Sequence, residues 1–274
     1  MSRYQLIALD MDGTLLNSEK KISPKNLQAL EKAAAAGKDL VLSTGRCRPE
    51  LEEYIRQIPG LKYLDCTSGA LVYDVKERRE IFRRGIEPPV VRRLLELAKM
   101  ENAMMHLLDR ESVVQTNQWT RMEDYGMGAY KPMYARIVTS KEDLYQSYCE
   151  NPFPVEKINL YHTDMASRER TRRRVLEEEL PVEMVYAESS SLEFNAKGID
   201  KGAGLEALCS FLKLPLEKTI AVGDADNDLA ILRCAGLAVA MGNANENVKK
   251  IAGAVVADCG HDGCAEAIEK YLLS

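Results

Sequence analysis

Three short apolar runs, each broken off by acidic, glycine or hydroxyl residues, constrain this chain most. Residues 4–9 run into Asp10-Met11-Asp12-Gly13-Thr14, residues 39–43 into Thr44-Gly45-Arg46, and residues 219–222 into Gly223-Asp224. Each has strand length and is apolar almost throughout, as a strand buried on both faces would be. A helix is expected after each. Ser23 caps one over about residues 24–36, with Pro24 at its first position and Gly37 at its end. A second runs from about 49 to 58 and stops at Pro59-Gly60; a third opens at Asp226 and reaches Cys234. Such alternation demands parallel strands joined by crossover helices.

The pattern changes in the middle of the chain. Short β segments are expected at 62–67, 71–74 and 80–84. The run Glu87-Pro88-Pro89 then opens a helix whose apolar positions 90, 91, 94, 95 and 98 follow helical spacing. Strands at 104–116, 156–162, 182–186 and 191–195 alternate with helices at 140–149 and 164–179. From Lys201 the first pattern resumes, with helices at 201–212, 244–251 and 263–273 and strands at 237–241 and 254–257. The expected organisation is therefore one domain made of residues 1–85 and 193–274, interrupted by an α+β unit over 86–192.

At 274 residues, 46 % of them apolar, the chain has enough material for two cores. A net charge of −5 argues against nucleic acid as a partner, because phosphate backbones demand basic patches. The basic run Arg168 to Arg174 reads as a solvated helix face. No apolar stretch approaches the roughly 20 residues of a membrane span. Seven scattered cysteines without a C-x-x-C motif suggest reduced thiols and a cytoplasmic protein. Cys259, His261 and Cys264 lie close together, but three ligands without a fourth make a poor zinc site.

Four polar clusters stand at strand ends or a helix start: Asp10/Asp12, Thr44, Lys201 and Asp224/Asn227/Asp228. In open α/β sheets ligands bind outside the carboxyl ends of the strands, so these clusters should converge. Several carboxylates in one place repel unless a cation neutralises them, and an all-oxygen set suits magnesium. Asp10, Asp224, Asp228 and the backbone carbonyl of Asp12 are the candidate ligands, with Asp228 acting directly or through water. A carboxylate is also a competent nucleophile toward phosphorus. Asp12, two residues on, is placed to protonate a leaving oxygen and then activate water. Thr44, Lys201 and Asn227 offer donors for phosphoryl oxygens.

These motifs resemble those of the haloacid dehalogenase superfamily, and the long insertion is similar to its Cof-like subfamily. Asp10-Met11-Asp12-Gly13-Thr14-Leu15 looks like the first motif and Ser43-Thr44-Gly45-Arg46 the second. Lys201 looks like the third, and Gly223-Asp224-Ala225-Asp226-Asn227-Asp228 the fourth. The resemblance covers nearly the whole chain. It implies a Rossmann-like parallel-sheet core with an inserted α/β cap that sets specificity. It also implies a Mg2+-dependent phosphatase working through an aspartyl-phosphate on a small phosphorylated metabolite, such as a sugar phosphate. Asp10 is then nucleophile and metal ligand, and Asp12 general acid/base. Met11, Thr44, Gly45, Lys201 and Asn227 bind phosphate, and Asp10, Asp12, Asp224 and Asp228 hold the metal. Lys197 competes with Lys201 for the third motif but is followed by Gly198-Ile199-Asp200, which fits the family pattern less well. A carboxylate at Asp12 implies turnover; a phosphomutase, or a non-catalytic phosphometabolite-binding regulator, are the alternatives.

Within the insertion, residues 122–134 hold Tyr125, Gly126, Gly128, Tyr130 and Tyr134, as a substrate loop or as an ordinary turn. His106 is expected to be packed or on the surface. Arg46 and Arg48 flank the second motif and are within reach of a second anionic group. Cys47 between them reads as an oxidation-sensitive site or, more simply, as a buried inert thiol.

Overall fold

The structure is a computed structural model that describes residues 3–186 and 190–274. The chain forms two compact units. One comprises the chain through Gly45, Leu51–Arg83 and Ile199–Ser274; the other comprises Arg46–Glu50 and Arg84–Gly198. The second unit therefore begins a little before the expected position 86 and ends a little after 192. The reason is the strand at Ser191–Ala196, which belongs wholly to the second unit's sheet, so a division at 192 would cut it. Arg46–Glu50, expected in the first domain, also falls in the second unit.

In the first unit, β1 (Leu6–Leu9) leads through a turn-rich stretch to α1 (Pro24–Ala35) and β2 (Asp39–Ser43). Ser23 Oγ accepts from the Asn26 amide and Pro24 opens α1, as the cap chemistry requires. The expected helix near 49–58 is a 3-10 turn at Arg48–Leu51 followed by α2 (Glu52–Gln57). Then come β3 (Tyr63–Cys66), β4 (Leu71–Asp74) and β5 (Arg79–Arg83).

The second unit contributes α3 (Pro88–Met100), β6 (Met104–Leu108), β7 (Ser112–Gln115), α4 (Thr116–Trp119) and α5 (Lys131–Ile137). It continues with β8 (Val138–Lys141), α6 (Leu144–Glu150), β9 (Lys157–Tyr161), α7 (Met165–Glu177), β10 (Val182–Val185) and β11 (Ser191–Ala196). The single strand expected over 104–116 is thus a hairpin, turning at 109–111. These strands form one sheet in the order β10-β11-β9-β6-β7-β8. Paired side chains across a sheet share a face, and successive ones alternate. One face carries Met105, Leu107, Ile158, Leu160, Leu192 and Phe194, all buried. The other carries His106, Asn159 and Glu193 in one row and Leu108, Lys157 and Ser112 in the next. Residues 122–134 fold as two 3-10 turns entering α5, with Tyr125 and Tyr134 buried in a cluster with Met104, Met122 and Tyr161.

The chain returns to the first unit through α8 (Lys201–Leu212), β12 (Thr219–Gly223), α9 (Leu229–Cys234), β13 (Leu237–Ala240), α10 (Glu246–Ile251), β14 (Ala254–Val255) and α11 (Gly263–Ala267). Its sheet runs β14-β13-β12-β1-β2-β3-β4-β5. The pairs from β14 to β3 are parallel; β4 and β5 add an antiparallel edge. Every residue of β1 and β12 is buried, which accounts for their unbroken apolar character. Strand order reverses at β1, with β2 on one side and β12 on the other, so a crevice opens beyond the carboxyl end of β1.

Candidate active site

Asp10 follows β1 at that crevice and is 7 % exposed. Its amide donates to the Val222 carbonyl at 3.0 Å, so the end of β12 fixes its backbone. Lys201, the first residue of α8 and wholly buried, reaches Asp10 Oδ1 at 2.6 Å and Asp228 Oδ1 at 2.7 Å. Asp200 caps α8 by accepting from the Ala203 amide, which sets Lys201 at the helix start. Lys197, the competitor, is exposed and pairs with Glu183 in the second unit.

Asp224 stands just beyond β12. Thr14 Oγ1 donates to its Oδ1 at 2.8 Å, and Gly13 lies against it. Gly13 has φ +92°, and a Cβ there would come within 2.5 Å of Asp224 Oδ2, so only glycine fits. Asp228 is buried in the 3-10 turn after Ala225. Its Oδ2 accepts from the amides of Asp224 and Ala225 at 2.9 and 3.1 Å, so it shapes the loop as well as holding Lys201. Asp12 is half exposed, and Lys20 donates to its carboxylate at 2.8 Å. Asn243 Nδ2 donates to the Gly13 carbonyl at 2.8 Å and steadies the same turn.

Thr44 is buried at the end of β2, where its amide donates to the Asp65 carbonyl at 2.8 Å. Gly45 follows it, and Asn227 lies half-buried in the turn between Asp224 and Asp228. Met11 is fully buried, so only its backbone can serve a ligand. Cys47 is buried, as the inert-thiol reading expected. His261 instead accompanies Asp258 at 2.8 Å, and Cys264 is buried with its thiol pushed up by that burial, which leaves no zinc set there.

The electrostatics follow from a count of charges. Asp10, Asp224 and Asp228 place ligand oxygens within 4.8 Å of one another, and among the described residues they are the one acidic group able to hold a metal. Against these three carboxylates stands one ammonium, Lys201. The excess of two negative charges matches a divalent cation, and the all-oxygen donor set suits a hard one. Burial first, then Asp228, pushes the Asp10 carboxyl up to about 8, because a single ammonium does not satisfy both neighbours. Asp224 is raised as well, chiefly by burial. Burial alone would lower Lys201, but Asp10 and Asp228 outweigh it and keep the ammonium charged.

Two residues that sequence reading missed support this arrangement. Thr14 lies in the first motif but carried no assigned role; only the fold shows its hydroxyl on Asp224, 210 positions away. Asp65 is wholly buried under the second motif, where Ser43 Oγ donates to its Oδ2 at 2.6 Å. Its Oδ1 has no partner and lies against Gly204 of α8, where a Cβ would collide with it. Burial pushes the Asp65 carboxyl up to about 7.

A family model described as haloacid dehalogenase-like hydrolase matches residues 7–268, and the chain belongs to that family. It is 28 % identical over 272 residues to the 5-amino-6-(5-phospho-D-ribitylamino)uracil phosphatase YcsE of Bacillus subtilis, covering 98 % of this chain and 96 % of that protein. It is 27 % identical over 281 residues to the pyridoxal phosphate phosphatase YbhA of Escherichia coli, covering 98 % and 99 %. A crystal structure of a haloacid dehalogenase-like hydrolase from Bacteroides thetaiotaomicron is similar, with TM-score 0.86, 27 % identity and coverage of 97 % and 99 %. No described helix is long and apolar enough to cross a membrane.

Proposed function

We propose that the chain is a Mg2+-dependent phosphomonoester hydrolase working through an aspartyl-phosphate. One observation carries the reading: Asp10 is held at the end of β1 by a buried lysine, inside a carboxylate cluster whose excess charge calls for a divalent cation. In this reading an Asp10 oxygen attacks phosphorus as the ester P–O bond breaks. Asp12 gives its proton to the leaving alkoxide. It then takes a proton from the water that attacks the phosphoryl group, and Asp10 is freed. Lys201, Thr44, Gly45, Asn227 and the Met11 backbone bind the transferring oxygens. Asp10, Asp224, Asp228 and the Asp12 carbonyl hold the cation, with Asp228 acting directly or through water. Bound there, Mg2+ neutralises the carboxylates and polarises the phosphoryl group.

The second unit, on the same reading, sets specificity for a small phosphorylated metabolite such as a sugar phosphate. Relatives named for a phosphorylated ribityl compound and for pyridoxal phosphate support that class. The free cysteines support a reducing compartment, the cytoplasm. The test is phosphate release from an aryl phosphate by purified protein with Mg2+. Release should stop with excess chelator, and Asp10→Asn should abolish it while leaving the fold intact. Full turnover by that variant, or in chelator, refutes the assignment.

A further inference from the structure

The tip of the hairpin between β3 and β4 is built from left-handed backbone. Thr67, Ser68 and Gly69 have φ of +48°, +55° and +95°, and Ser68 has ψ +46°. A side chain resists this region because its Cβ crowds the following carbonyl, and a β-branched one, such as the wholly buried Thr67, resists it most. Such backbone persists only where its surroundings hold it, and it gathers at functional sites.

The surroundings here are two pieces of the candidate active site. Ser43 is in register with Asp65, so a continued parallel ladder would bring the Thr67 amide to the Thr44 carbonyl. The chain turns before that, and the Ser68 amide makes the bond instead, at 3.0 Å. The Thr44 amide donates to the Asp65 carbonyl, so one hairpin holds the peptide groups on both sides of Thr44. Gly69, the next residue, lies against the start of α8. A Cβ on it would collide with the Asp200 carbonyl and come within 3.2 Å of the Lys201 amide nitrogen. A Cβ on Gly204, one turn along α8, would in turn meet Gly69 Cα at 3.0 Å. Returning Ser68 to the right-handed region would redirect the chain between its amide and Gly69, and one of the two contacts would be lost.

We propose that the left-handed tip Thr67–Gly69 is a positioning element of the phosphoryl site. Through the Ser68 amide it holds Thr44, through Gly69 it holds the start of α8, and so it sets the spacing between Thr44 and Lys201. Ser68 is a positioning residue that acts through its backbone. The proposal rests on the phosphatase reading above, in which Thr44 and Lys201 bind the transferring oxygens.

The experiment varies how readily position 68 turns left-handed. Glycine does so freely, asparagine more readily than most residues and valine least. For the full chain with Mg2+, the readouts are kcat/KM on p-nitrophenyl phosphate, inhibition by inorganic phosphate, and melting temperature. Ser68→Gly and Ser68→Asn should stay within about twofold of the wild type in both constants. Ser68→Val should lose about 10-fold or more in kcat/KM and bind inorganic phosphate more weakly by a similar factor. Leu30→Val, a buried change in α1 that also lowers the melting temperature, should leave both constants within about twofold, which separates misplacement from lost stability. Full activity in Ser68→Val, a loss in Ser68→Gly as large as in Ser68→Val (the mark of a needed hydroxyl), or an equal loss in Leu30→Val overturns the proposal while the phosphatase reading stands. Should Ser68→Val fail to fold, Ser68→Ala decides, since it lacks the hydroxyl as glycine does but resists the left-handed region. It should then fall about threefold or more below Ser68→Gly, and equal activity of the two overturns the proposal. No phosphate release by the wild type defeats the phosphatase reading itself, and this proposal with it.

Discussion

Replacing Asp65 with asparagine should make the protein more stable at alkaline pH than the wild type. Asp65 is wholly buried, and its carboxyl is pushed from 3.8 up to about 7, chiefly by that burial. A carboxyl whose folded pKa is raised binds its proton more tightly in the folded state, so stability is full below about pH 4 and falls as pH rises toward 7. The separation of roughly 3 pKa values at 1.36 kcal/mol each gives a loss of about 4 kcal/mol at full ionisation. Asn keeps an oxygen for the Ser43 hydroxyl and does not ionise, so any packing defect it brings is the same at every pH. Urea unfolding of both proteins in chelator, from about pH 5 to about pH 8, reads the effect, because titrating groups far from Asp65 cancel in the difference. The wild type should lose about 2–3 kcal/mol relative to Asp65→Asn across that range. A difference that stays flat with pH, or that turns in favour of the wild type at high pH, refutes the buried-acid account.

Two further tests address the supports of the site. Thr14→Val keeps the shape of a fully buried residue but removes the 2.8 Å bond to Asp224. Half-saturation by Mg2+, read from phosphate release and from protection against thermal unfolding, should move up about 10-fold. Gly204→Ala pushes a methyl into Asp65 Oδ1 and should destabilise the protein by about 1–3 kcal/mol in urea melts. Asp65→Ala, which removes the two nearest atoms but leaves the Gly69 Cα 3.0 Å from the new methyl, should recover part of the loss in the double variant.

The legible parts of this molecule were those where period and punctuation coincide. β1, β2 and β12 are buried on both faces, so their sequences are unbroken apolar runs, and the residues that end them are the ones that gather around Asp10. Lys201 could be preferred over Lys197 because the family pattern places the lysine at the opening of a helix, where Lys201 stands. Short elements were harder to read. The turn between β6 and β7 spans three residues, too few to interrupt the apolar pattern, and β8 carries three exposed polar residues of four. Thr14, Asp65 and the buried Ser112 were illegible for another reason. Their meaning lies in partners that only the fold brings near, 210 positions away for Thr14 and 62 for Ser112, and nothing local distinguishes a serine that bonds Glu50 from one that bonds water.

The pairing of β1 with β12 has a consequence for how the protein is made. On a ribosome the first half of the core emerges early, with β2 on one flank of β1, while the strand for the other flank is still more than 200 residues away. Until then β1 offers an open, apolar edge, the kind that invites pairing with other chains. Asp10 meanwhile lacks the lysine that neutralises it, since Lys201 lies 191 positions downstream. A nascent chain therefore carries its nucleophile without its counter-charge, and the last quarter of the sequence closes the sheet and balances the charge in one event. Fragments ending before α8 should accumulate as aggregates or be degraded, never as partly active enzyme.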